Sequence, residues 1–266
     1  MQRRLIINAD DFGWDSDATQ AILTLAEKQK ITSTTIIANT VRAKDLYPLK
    51  SFTKISTGIH INLVLGYPLS SPEKVPSLIA ENGQFFSADQ LLKRFLLGRV
   101  KQSELEFEIV NQVEFLRRHH LKISHADSHK HIHQYPLLGA AIIRILKQQG
   151  IMKIRNCNML DYNNKKMFVV KGFNSFSRLF STYYSSPEIL IGAFSNHREA
   201  SLPIFGKAIE EAFFKNSTIE FMTHPGIENR EGSYLNRLAE YQFWMNENWE
   251  KMLKANNIKL INYNEL

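Results

Sequence analysis

The chain has 266 residues, enough for one large α/β barrel or two small domains. Hydrophobic residues make up 44 % and charged residues 22 %, the balance of a globular protein rather than a disordered or fibrous one. The net charge is +7 and the pI is near 9.3, yet the basic residues are scattered. The densest runs, Arg117-Arg118-His119-His120 and Lys165-Lys166, are too short for a basic arm, which argues against a nucleic-acid partner.

The single cysteine, Cys157, excludes an internal disulfide and favours a reducing compartment. It reads as a small hydrophobe rather than a nucleophile. No run approaches the roughly 18 apolar residues of a membrane span. Leu5-Ile6-Ile7 is too short for a signal peptide, so the cytoplasm is the expected location.

Residues 5–9 read as a buried strand, apolar on both faces, that runs into Asp10-Asp11. Ala18, Ala21, Ile22, Leu25 and Ala26 recur at helical spacing, predicting a helix from Asp17 to about Gln29 capped by Ser16 or Asp17. Strands follow at 32–38 and 55–62, with a short helix between them over 42–49. The stretch 66–86 carries three prolines and little periodicity, the signature of a long excursion of the kind that is usually functional or disordered. Helices are predicted at 88–97 and 103–120, a strand at 123–129, and a helix at 136–149. A short strand fits 153–155, and 156–186 has no clear pattern. The remainder reads as strands at 189–193, 219–223 and 258–261, with helices at 202–215 and 233–255. Strand and helix alternate throughout, and no composition shift marks a boundary. The expected architecture is a single α/β domain over 1–266 with a parallel sheet, open or closed.

The polar chemistry gathers where strands end. Asp10-Asp11 closes the first, His60 lies in the third, and His125 to His133 runs out of the strand at 123. His224-Pro225-Gly226 ends the strand at 219. In β/α folds that edge is where sites are built. Taken alone, Asp10-Asp11 reads as a helix cap and His60 as a core or surface histidine, while His224 reads equally as part of a structural turn. The segment His125-Ala126-Asp127-Ser128-His129-Lys130-His131-Ile132-His133 is the richest. Its odd positions share one face of an extended chain, and such a face would make a poor core and an odd surface. Metal or acid–base chemistry is the better reading, although spacing does not choose the ligands. No nucleophile elbow, dinucleotide fingerprint, phosphate loop or cysteine pair is present.

Asn8-Ala9-Asp10-Asp11-Phe12-Gly13, Gly58-Ile59-His60-Ile61-Asn62-Leu63, the 125–133 segment and His224-Pro225-Gly226 together resemble the successive motifs of YdjC-like carbohydrate deacetylases. That family includes chito-oligosaccharide deacetylases and relatives linked to hopanoid lipid synthesis. The order and spacing match up to about residue 226, with no motif recognisable over 156–215. The resemblance implies a distorted or incomplete TIM-like (β/α) barrel related to polysaccharide deacetylases. It implies one divalent metal, Mg or Zn, held by Asp11, His60 and His129. Asp10 would be the base and His224 the acid, with Asp127 orienting a ligand imidazole. His131 and His133 would line the substrate groove. Lys130 stands where a His is common, which alters charge beside the metal without removing a ligand.

The implied reaction is removal of acetyl from an N-acetylated sugar, with a homodimer as the assembly. Tyr67, Phe85, Phe86, Tyr183 and Tyr184 are candidates for stacking on sugar rings, though loop packing accounts for most of them. The rival readings are a metal-dependent phosphoesterase and a carbohydrate-binding barrel without catalysis.

Overall fold

A computed structural model describes residues 2–160 and 184–266. Among the described residues there are seven strands: β1 (Arg3–Phe12), β2 (Ser33–Ile36), β3 (Ser56–Ile61), β4 (Ile123–Ser128), β5 (Ile189–Ile191), β6 (Thr218–Thr223) and β7 (Ile258–Leu260). Every pairing is parallel, in the order β4-β3-β2-β1-β6-β5, with β7 beside the first residues of β1. Residues 152–160 bridge to β4 through Ala126–Ile154 and to the β5 side through Lys153–Ser185 and Met159–Leu190. These single bridges carry the curled sheet round towards closure. The result is the distorted, incomplete barrel that the family resemblance implies.

The helices are α1 (Ser16–Glu27), α2 (Ala88–Leu96), α3 (Gln102–Arg118), α4 (Leu138–Gln148), α5 (Ala193–His197), α6 (Leu202–Phe213), α7 (Arg237–Met245) and α8 (Asn248–Ala255). Asp15, not Ser16 or Asp17, caps α1 by accepting from the Ala18 N–H at 2.7 Å. The long helix expected over 233–255 is two helices. Asn246 turns extended between them, and its side chain accepts from the Asn248 N–H. The excursion at 66–86 is pinned rather than loose. Glu104, Glu108 and Gln112, one turn apart on α3, reach across to it and to the end of β3. Glu108 accepts from the Leu69 and Ser70 N–H groups, Glu104 from Ser77, and Gln112 bonds both backbone groups of Asn62.

The expectation that β1 is apolar on both faces holds only for its first residues. Leu5, Ile7 and Ala9 face the helices and join the main apolar core with Ile22 and Leu25. Ile6 faces inward, against Tyr263, and from Asn8 onward the inward positions are polar. Asn8, Asp10, Ser33, Thr35, Ser56, His60, His125, Asp127 and Glu220 are all buried and joined by hydrogen bonds. The interior of this barrel is therefore a polar network wrapped in an apolar shell. It is not the stack of branched apolar side chains that usually fills such a barrel. Among the described residues no helix is long and apolar enough to cross a membrane.

Candidate active site

Asp10 and Asp11 would point to opposite sides of a regular strand. The register of β1 against β2 slips between Ala9 and Phe12, and Asp11 takes φ 66°. A non-glycine residue in that region is strained and persists where its surroundings hold it. The slip brings both carboxylates to the same end of the barrel. Asp11 Oδ2 accepts from Arg237 at 2.6 Å. Its Oδ1 lies 3.5 Å from His60 Nε2 and 3.4 Å from His129 Nδ1, and makes no hydrogen bond.

His60 projects from β3. Its Nδ1 lies 2.7 Å from Asp127 Oδ1, the neighbouring position on β4. That carboxylate keeps the proton on Nδ1 and leaves Nε2 facing Asp11. Burial alone would lower the His60 pKa, but Asp127, Asp10 and Asp11 push it up to about 9.

His129 stands just past β4. The extended face expected over 125–133 stops at Ser128, and 129–134 is a tight turn with Lys130 and His131 at φ 54° and 55°. The turn swings His129 beside Asp11. Burial lowers the pKa of His129 against the pull of Asp11, and Nε2 is buried without a partner. Trp14 covers it, with ring centroids 4.9 Å apart.

The turn scatters the other histidines. His133 does not line a groove. It is wholly buried, its Nδ1 sits 2.5 Å from Ser128 Oγ and its Nε2 3.2 Å from the Arg155 carbonyl. His125 lies deeper in the barrel, stacked on Tyr263. His131 is less enclosed, with a buried Nδ1 that finds no partner. Its pKa is lowered to about 3 by burial and by Arg155.

Asp10 faces a different partner. Arg155 clamps both its oxygens, Nη1 to Oδ2 and Nη2 to Oδ1, each at 2.6 Å. Burial would raise the Asp10 pKa, but the guanidinium holds it well below the usual carboxylate range. Arg155 Nη1 also sits 2.6 Å from Asp127 Oδ2, and Glu220 takes Nε at 2.9 Å and Nη2 at 2.7 Å. His224 Nε2 lies 3.9 Å from Asp10 Oδ2, while its Nδ1 is 3.2 Å from Ser195 Oγ.

The sequence reading passed over Arg155, Arg237, Glu220 and Trp14. Glu220 carried a signal, being a lone charge inside the apolar run Ile219-Glu220-Phe221. Of the aromatic candidates, Tyr67 is exposed, Phe85 is buried and Phe86 lies under the Arg94 guanidinium. Tyr184 packs partly buried against the core, and Tyr183 lies outside the described residues.

Asp11, His60 and His129 offer ligand atoms within 4.8 Å of one another, and Asp10, His60 and Asp127 form an overlapping group. The second group already holds a cation, because Arg155 sits on both of its carboxylates. The first has an orphaned carboxylate oxygen between two imidazoles. Two imidazoles and one carboxylate fit a single divalent ion.

Residues 4–255 match the model of the family described as YdjC-like protein. A carbohydrate deacetylase of Geobacillus stearothermophilus is 35 % identical over 137 residues, 51 % of this chain and 53 % of that protein. One from Thermoanaerobacter pseudethanolicus is 27 % identical over 271 residues, 98 % of each chain. A crystal structure from Enterococcus faecalis V583, provisionally described as a cellobiose-phosphate cleavage protein, superposes with a TM-score of 0.81. It is 22 % identical and the match covers 100 % of this chain and 99 % of that one, a likeness of fold.

Proposed function

The chain belongs to the YdjC-like family, and on that premise we propose that it hydrolyses the acetamide of an N-acetylated sugar, with one divalent metal as cofactor. One observation carries the reading. At the C-terminal ends of the strands, an unbonded Asp11 oxygen between two imidazoles stands next to a second carboxylate that is charged and aimed by an arginine. The relatives' names, carbohydrate deacetylase, supply the substrate class.

Asp11, His60 and His129 would hold the metal. Bound there, a divalent ion polarises a carbonyl and lowers the pKa of water from about 15.7 towards 7. Asp10 accepts a proton as water attacks the acetyl carbon. Arg155 keeps that carboxylate ionised and fixes both oxygens, so the base is in one orientation before substrate arrives. His224 faces Asp10 across 3.9 Å and gives a proton to the leaving nitrogen. The C–N bond breaks as the new C–O bond is kept, releasing acetate and an amino sugar. Asp127 holds His60 in the tautomer a ligand needs. Arg155 on Asp10 and Asp127 speaks against a two-metal phosphoesterase, because it takes the second cation's place.

The test is acetate release from N,N'-diacetylchitobiose and a panel of N-acetylated sugars, with and without chelator. Asp10→Asn should bind metal by calorimetry and lose about 100- to 10,000-fold in kcat. Asp11→Asn should lose metal and activity together. Full turnover by Asp10→Asn would remove the base from this scheme.

A further inference from the structure

We propose that Tyr263 is a positioning residue for Asp10, reaching it through two buried relays. This rests on the reading of Asp10 as the base. Tyr263 lies in the turn Tyr263–Glu265, at the end of the barrel opposite the candidate metal ligands. In the first relay its hydroxyl donates to Glu220 Oε2 at 2.6 Å. Glu220 Oε1 takes Arg155 Nε and Nη2, and Arg155 takes both Asp10 oxygens. In the second its ring stacks on His125, with centroids 3.6 Å apart and planes 6° from parallel. His125 Nε2 lies 3.3 Å from Asn8 Oδ1, and Asn8 Nδ2 donates to Asp10 Oδ1 at 2.8 Å. Tyr263, Glu220, Arg155, His125 and Asn8 are all 0 % exposed, so bulk water does not reach these links.

The anchor at the base of the relays is fixed. The Tyr263 N–H donates to Ser56 Oγ at 3.1 Å, and its carbonyl accepts from Lys153 Nζ at 2.6 Å. Gly58 makes room for the stack, since a Cβ there would lie 2.5 Å from the His125 ring. One guanidinium serves three carboxylates: Asp10, Asp127 and Glu220. Where Arg155 rests depends on how far Glu220 draws it. The Tyr263 hydroxyl caps the other Glu220 oxygen and so sets that draw. Without it, a buried acceptor is left open and Glu220 must turn, carrying Arg155 and the base with it. Misplacing a base by a fraction of an ångström reduces turnover more than binding.

The test is Tyr263→Phe, which keeps the stack and removes only the hydroxyl. Two readouts are needed: the Arg155 Nε–H proton resonance of the whole protein, and kcat and KM on a hydrolysed sugar. The expected result is a shifted resonance exchanging about tenfold faster, and a kcat about tenfold lower with KM within roughly twofold. The control is Trp249→Phe, a core change on α8 that lowers the melting temperature without touching either relay. An unmoved Arg155 resonance overturns the proposal. So does a loss of kcat matched by Trp249→Phe, or one accompanied by an equal rise in KM. If wild type hydrolyses no sugar, the deacetylase reading falls, and the resonance alone decides whether Tyr263 positions Arg155 and Asp10.

Discussion

Two buried charge clusters share the top of this barrel, and they differ in how completely they are satisfied. Around Arg155 both terminal nitrogens and Nε have acceptors, and Asp10, Asp127 and Glu220 all take part. Around Asp11 the opposite holds, with Oδ1, His129 Nε2 and Arg237 Nη1 buried without partners. Buried polar atoms are nearly always bonded, so open ones ask for an explanation. The contrast separates scaffold from site. The Arg155 cluster is finished by the protein itself. The Asp11 cluster is left open by the protein, which is where the proposed metal would sit.

The largest effect expected from this contrast is on stability. Arg155→Met removes the guanidinium that three buried carboxylates share and should cost about 3–5 kcal/mol of unfolding free energy. Denaturant titration measures it. A loss as small as that of Asp11→Asn in chelated protein would erase the distinction between the clusters. Next in size is Gly58→Ala. Its methyl would meet the His125 ring at 2.5 Å, beneath the scaffold. Overpacking of this kind costs about 1–3 kcal/mol. Metal affinity, read by calorimetry, should stay within a few-fold of wild type, because neither Asp11, His60 nor His129 touches that ring.

The contrast was only half visible in the sequence. Strand alternation gave a parallel sheet, and the coincidence of Asp10-Asp11, His60, the 125–133 segment and His224 with strand ends gave the cluster; the barrel and the choice of ligands came from the family resemblance. The scaffold was hidden. Arg155 sits in Lys153-Ile154-Arg155, and nothing in those three residues says that its side chain crosses the barrel to Asp10, 145 positions away. His133 shared the parity of His129, and only the left-handed turn at Lys130 and His131 sends it into the core. The spacing of Glu104, Glu108 and Gln112 was on the page as one polar helical stripe. Its meaning depended on the backbone of 62–77, which has no periodicity to announce it. Asp11 needed a register slip that no residue type encodes.

The smallest predicted effect is on pH, and it isolates the histidines that burial keeps neutral. Burial holds His125 and His133 well below the usual imidazole pKa, and His131 at about 3. In the unfolded chain each takes up a proton below about pH 6.5, while the folded imidazole does not. The unfolded state then binds more protons, so stability falls as pH falls, by up to about 1.4 kcal/mol per pH unit for each such histidine. His60 has the opposite sign. With its folded pKa up at about 9, its contribution in metal-free protein is complete below the unfolded value and is lost as pH rises through 9. Metal-free protein should therefore be most stable near pH 6.5. In the range below that pH burial also raises the pKa of the Glu220 carboxyl, so the share of one histidine is read as the difference in slope between wild type and variant. His133→Gln should flatten the slope by up to about 1.4 kcal/mol per unit, whatever it does to stability at neutral pH. A slope unchanged in His133→Gln would mean that His133 takes up a proton in the fold. The bonds from Ser128 and the Arg155 carbonyl would then enclose a charge, and the boundary between finished scaffold and open site would have to be redrawn through that turn.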